Sequence, residues 1–93
     1  MVQRSKKGYR FERRVRKDLE KKGYYVTRSA GSRGVFDLVA IPPGGKEILG
    51  IQCKAGGRIT RSEMQRIIET AKKYNIKPCL ALKKDRKYEI IEV

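Results

Sequence analysis

Asp37, Gln52 and Lys54, with Glu12 further upstream, have the side-chain types and spacing for metal-assisted chemistry on a phosphate. Gln52 and Lys54 lie two positions apart in EILGIQCK, residues 47–54. In a strand they project to one face with Gly50, and Leu49, Ile51 and Cys53 project to the other. Asp37 interrupts the apolar run VFDLVAI, residues 35–41, and PPGG at 42–45 turns that run back on the next. A loop of Pro43–Gly44 pairs Asp37 with Gly50, and a loop of Gly44–Gly45 pairs it with Gln52. Either register puts Asp37 on the face of Gln52 and Lys54.

Two readings of that convergence stay open at this level. Burying Asp37 among Val35, Phe36, Leu38 and Val39 costs several kcal/mol unless a cation or donor satisfies it, so an Asp37–Lys54 ion pair, or an Asp on a solvated strand end, is one account. The other is a Mg²⁺ site made of hard oxygen donors from Asp37, the Gln52 amide and the Cys53 carbonyl, with water and phosphate completing the shell. There the metal activates a water and stabilises the pentacovalent phosphate, and Lys54 orients that water or offsets developing charge. Glu12 is the only acid before residue 18 and sits at the edge of an apolar helical stripe, from which it can reach the sheet. The competing account of Glu12 is an i,i+4 pair with Arg16.

The composition excludes much else. The 93 residues contain no His, which removes Ser-His-Asp and Cys-His catalysis, His-ligated zinc and zinc deamination. Neither G-x-G-x-x-G nor G-x-x-x-x-G-K-[ST] occurs, and no apolar run is long enough to cross a bilayer. The first residues carry no hydrophobic secretion stretch, so the expectation is a soluble, cytoplasmic protein without membrane contact. Cys53 and Cys79 lack C-x-x-C spacing and are expected as small core residues in a reducing compartment. Against 10 acids stand 24 Lys and Arg, a net charge of +14, which points to a polyanionic partner. Eleven of those cations fall in residues 1–28, three in 29–57 and ten from 58 onward.

The elements that must position these groups follow from periodicity. Phe11, Val15 and Leu19 recur every four residues and Gly23 supplies a stop, so residues 6–23 are expected as a helix. Residues 24–28 are β-branched and aromatic, hence a strand, and SAGSRG at 29–34 is expected as a mobile loop. After the hairpin and a basic loop at 55–60, Thr60 or Ser62 caps a second helix, with Glu63 or Gln65 completing a capping box. Met64, Ile67, Ile68, Ala71 and Tyr74 form its expected buried stripe, and strands at 78–83 and 87–93 close the chain. The order is α-β-β-β-α-β-β in one domain over 1–93. It is an α/β fold in which the second helix carries a crossover to a parallel neighbour and a helix packs on each side of a mixed sheet of about five strands.

Glu12 on a first helix, R-S-A-G-S-R-G at 28–34, Asp37 and Gln52-x-Lys54 resemble the PD-(D/E)xK nuclease superfamily, and within it the small archaeal and viral Holliday-junction resolvases. The resemblance covers nearly the whole chain and implies a restriction-endonuclease-like sheet. It implies that Glu12 and Asp37 serve the metal, that Gln52 stands where a ligand Glu is usual, and that Lys54 is the catalytic lysine. It further implies that Ser32, or alternatively Ser29, contacts the scissile strand and that Arg10 and Arg28 hold phosphates. Phe36 stands where the motif has proline, and Gln52 removes one negative charge from the metal site, which implies weaker metal binding. The expected function is a Mg²⁺-dependent, structure-selective DNA endonuclease, with Mn²⁺ as a substitute metal, acting on four-way junctions as a homodimer. Arg10, Arg13, Arg14, Arg28, Arg33 and Arg58 are expected on the DNA backbone. The alternatives are a restriction or repair nuclease on duplex DNA and a nucleic-acid-binding module with weakened catalysis.

Overall fold

The structure, a computed structural model, describes residues 6–29 and 35–93, with side chains from residue 8 onward. Helix α1 spans Lys6–Lys21, and its stripe of Phe11, Val15 and Leu19 is buried almost completely. Each of those side chains contributes about 1.5–3 kcal/mol by leaving water, which holds α1 to the sheet despite its basic outer face. The helix stops as expected: Gly23 takes φ +95°, and the Tyr24 N–H reaches back to the Leu19 carbonyl at 3.1 Å, satisfying an end carbonyl.

Strands β1 (Tyr25–Arg28), β2 (Leu38–Ile41), β3 (Leu49–Lys54), β4 (Lys77–Lys84) and β5 (Lys87–Glu92) lie side by side in chain order. The β3–β4 pair is parallel and every other pair is antiparallel. Helix α2, Arg61–Tyr74, makes the crossover between the parallel strands. Two cores result. Phe11, Val15, Leu19, Val26, Leu38, Ala40 and Ile51 form one with Cys79 and Ala81 on the α1 side. Phe36, Ile67, Ala71 and Leu80 form the other beneath α2.

Thr60 is the N-cap of α2 and Glu63 completes the box: the Glu63 N–H donates to Thr60 Oγ1, and the Thr60 N–H donates to Glu63 Oε1, both at 3.1 Å. Asn75 ends the helix in the left-handed region at φ 56°, a conformation that asparagine tolerates.

The expected α2 stripe is narrower than its spacing suggested. Ile67 and Ala71 are buried and Met64 packs beside them, but Ile68 and Tyr74 are 46% and 62% exposed. The second core is small, so one row of contacts fills it and the flanking apolar positions turn to solvent. The two cysteines are free, Cys79 buried and Cys53 half-buried.

The first hairpin strand is also shorter than expected, beginning at Leu38 and not at Val35. Leu38 pairs with Ile51 and Ala40 with Leu49, the alignment expected of a turn centred on Gly44–Gly45. The connection itself is longer than two residues, running from Pro42 to Ile48, with a Gly45 N–H to Pro42 carbonyl bond at 2.9 Å. Residues 30–34 of the expected mobile loop, with Ser32 and Arg33, lie outside the described residues.

Candidate active site

The entry into β2 departs from a regular ladder, and the departure aims Asp37. Phe36 is buried beneath α2 whereas Leu38 is buried beneath α1, so the chain crosses the sheet plane over three residues, which strict alternation forbids. The crossing is made by packing: an added Cβ on Gly50 would lie 2.7 Å from the Phe36 ring, so the ring covers Gly50 where a larger residue could not stand. Asp37 is then held by three contacts. Its N–H donates to the Ile51 carbonyl, its carbonyl accepts from the Ser29 N–H, and its Oδ2 accepts from the Cys53 N–H, each at 2.9 Å. The side chain of Asp37 thus takes a ladder bond that a regular strand would give to a backbone carbonyl.

Glu12 reaches Arg28 of β1 from α1. Its Oε1 lies 3.2 Å from Arg28 Nε, its side chain is only 15% exposed, and the Arg28 guanidinium also stacks over Tyr9 at 4.7 Å. The i,i+4 alternative for Glu12 is not what forms: Arg16 pairs with Glu20, at 3.4 Å. Glu12, Tyr9, Arg13, Arg16, Arg28 and Leu38 line a small cavity of about 90 Å³. The Cys53 thiol registers both acids: burial first, then the charges of Asp37 and Glu12, push its pKa far above the ordinary thiol range. Both carboxylates therefore act on the Cys53 thiol through their charge.

Gln52 is half-buried on the other face of β3, level with Leu80 of the α2-side core. Lys54 follows on that face, and its ammonium is bound by Glu63 of α2. Glu63 is pulled down to about 2 by the Lys54 hydrogen bond first and the Thr60 backbone bond second, so it is ionised at all ordinary pH. The partner of Lys54 is thus an acid that the expected site did not contain. Its signal was present: Glu63 occupies the capping-box position of the element that follows Lys54 after a six-residue connection, 55–60.

Of the expected site residues, Asp37 bonds the N–H of Cys53, which stands between Gln52 and Lys54 on β3, and Glu12 lies on α1 against Arg28 of β1. The Gln52 and Lys54 side chains lie toward α2. Ser29 contributes its backbone to the Asp37 end of the β1–β2 ladder. Among the described residues, no three His, Cys, Asp or Glu side chains gather closely enough to hold a metal. A complete oxygen shell therefore needs the Gln52 amide, backbone carbonyl, water or substrate beside the two acids. That donor set, all hard oxygens with two charges, fits a small divalent cation.

Among the expected phosphate contacts, Arg10, Arg13 and Arg58 are exposed. Arg14 is engaged within the fold, donating to the Arg86 carbonyl at 2.8 Å and stacking over Tyr88 at 5.0 Å. Among the described residues no helix is long and apolar enough to cross a membrane.

Two helices flanking a five-strand mixed sheet in this order, with an acid at the mouth of β2 and Q-x-K closing β3, define a member of the PD-(D/E)xK nuclease superfamily. The chain belongs to the archaeal Holliday junction resolvase (Hjc) family, whose model matches residues 3–93. It is 38% identical over 87 residues to the crossover junction endodeoxyribonuclease Hjc of Methanocaldococcus jannaschii, covering 89% of this chain. The aligned part spans 63% of that relative's length. The Hjc of Archaeoglobus fulgidus, a Holliday junction resolvase of known structure, superposes with a TM-score of 0.77 at 27% identity, over 92% of this chain and 72% of that one.

Proposed function

We propose that this protein is a divalent-metal-dependent endonuclease that hydrolyses phosphodiester bonds in branched DNA, with four-way junctions as its substrate and Mg²⁺ as its metal. The observation that carries the reading is the bond from the Cys53 N–H to the Asp37 carboxylate, one residue from Lys54, in a chain of the Hjc family. Glu12 and Asp37, with the Gln52 amide and the Cys53 carbonyl, would hold the ion, which when bound supplies an activated water and charge neutralisation.

The chain's own groups do the rest. Asp37 is fixed by the Cys53 N–H, so it presents its carboxylate with little reorganisation. Arg28 restrains Glu12 while keeping a positive charge beside the path of the DNA backbone. Lys54 places its ammonium where charge develops on the phosphate or leaving oxygen. Ser32, or Ser29, contacts the scissile strand, and Arg10, Arg13, Arg33 and Arg58, with Arg28, hold flanking phosphates and give shape recognition with little base reading. Arg14 serves DNA less directly, since it is committed to Arg86 and Tyr88. A homodimer makes two symmetric cuts across a junction of matching symmetry.

The test is a cleavage assay on a four-way junction and on linear duplex of equal length, with Mg²⁺, Mn²⁺ or chelator. Junction cutting that needs the metal and stops in Asp37→Asn and Lys54→Ala, with DNA binding nearly intact, is expected. Unaltered cutting by Asp37→Asn overturns the metal site, and equal cutting of duplex favours a duplex nuclease. The absence, among the described residues, of three gathered His, Cys, Asp or Glu side chains favours one second reading, a binding module with weakened catalysis. Binding without any dication-dependent nicking would establish it.

A further inference from the structure

We infer that Glu63 is a positioning residue for Lys54: the acid that closes the α2 capping box also fixes the ammonium beside the phosphate-transfer site. The inference rests on the nuclease reading above and adds a residue to it. Three features meet on this one side chain. Glu63 Oε1 accepts from the Thr60 N–H at 3.1 Å and from the Thr60 hydroxyl at 3.0 Å, which locks the carboxylate against the first turn of the helix. Its other oxygen, Oε2, is left to Lys54 and binds it. Lys54 is the last residue of β3, and α2 begins at Arg61, so the first turn of the helix is carried to the end of the strand by a short connection.

This arrangement answers a need of the site. A lysine carries four rotatable carbons and much rotamer freedom, and an ammonium that must meet developing charge gains from being held. At 24% side-chain exposure Lys54 is not confined by burial alone. An oxygen already fixed by a helix cap is a rigid anchor, because the cap and the ion pair share one carboxylate and order each other. The deep lowering of the Glu63 carboxyl, caused first by Lys54, agrees with that coupling.

The two duties of Glu63 are separable, because a capping box accepts Gln at the same position as Glu. Glu63→Gln keeps the acceptor for the Thr60 N–H and removes the charge facing Lys54, and Glu63→Ala removes both. On a junction substrate with Mg²⁺, Glu63→Gln is expected to lower kcat about 10–100-fold with KM and melting temperature near wild type, the scale seen when a supporting residue is lost. Glu63→Ala is expected to lose the same rate and also melt earlier. In metal-free protein, NMR of the Lys54 ε-methylene reads the anchoring directly: two resolved ε-proton shifts in wild type are expected to collapse toward one in Glu63→Gln.

Wild-type kcat in Glu63→Gln together with slowed Glu63→Ala would show that only the cap matters and would overturn the inference. So would an unchanged Lys54 methylene spectrum in Glu63→Gln. Lys54→Ala keeps the two levels apart: if it cuts like wild type, the role of Lys54 in the nuclease reading fails, and the metal-free NMR still decides whether Glu63 holds Lys54.

Discussion

Arg28 and Arg58 carry the same charge in different settings, and the difference sets what each substitution does. Arg28 is bonded to Glu12 at 3.2 Å and packed on Tyr9, so Arg28→Ala releases an acid of the proposed metal site. Its expected effect falls on the single-turnover cleavage rate more than on junction affinity. Arg58 is exposed in the loop before α2. Arg58→Ala is expected to weaken binding and to reduce the salt slope by about 1, leaving the rate of saturated complex unchanged. A filter-binding salt series beside single-turnover cleavage separates the two. Gln52→Glu tests the opposite change, an added charge: it is expected to tighten Mg²⁺ as read by metal titration of cleavage. Equal or weaker Mg²⁺ dependence would argue that Gln52 is no ligand. The hairpin that carries Asp37, Gln52 and Lys54 was legible in sequence, but Glu63 was visible only as a helix cap. Its acid oxygen is assigned to Lys54 by how α2 docks, which no local pattern encodes.

At the scale of elements, the position of Asp37 depends on Phe36 and Gly50 more than on β2 itself. Gly50→Ala would drive a methyl to 2.7 Å from the Phe36 ring, which must move or push α2 away. The expected cost is about 1–3 kcal/mol in chemical denaturation, with cleavage falling because Phe36 precedes Asp37. Alternation along a strand over 35–41 would put Phe36 and Leu38 on one face. It failed at 36–38 because both cores claim an apolar residue there and the chain must cross between them. Helix α1 is tied to the far edge of the sheet by a second device. The Tyr88 hydroxyl donates to Asp18 Oδ2 at 2.7 Å, and burial, with Asp18 next, pushes it up to about 12 from 10.0. A raised folded-state value means stability that is complete below the unfolded value of about 10 and lost as pH climbs through about 12. Wild type is therefore expected to lose more stability across that window than Tyr88→Phe, measured by urea melts at each pH.

For the whole molecule, the charge of +14 is the dominant property. Affinity for any DNA should fall steeply with salt, since each phosphate contact releases counterion with a slope of about −0.9 on log–log axes. Any preference for the proposed junction substrate then has to come from where the cations sit, because charge alone attracts duplex and junction alike. The composition, the absence of His and the order of elements were fixed by the chain itself, since helical and strand periods and turn residues act over a few positions and need no distant partner. Even the hairpin alignment was narrowed to two registers by Pro and Gly spacing. What the tertiary structure alone decided is which charges meet: Glu12 with Arg28, Lys54 with Glu63, Arg14 with the Arg86 carbonyl, Tyr88 with Asp18. These partners are 9 to 72 positions apart. In a chain with 24 cations and 10 acids, each acid has several candidate partners, and only the docking of helices on the sheet brings one of them within bonding distance.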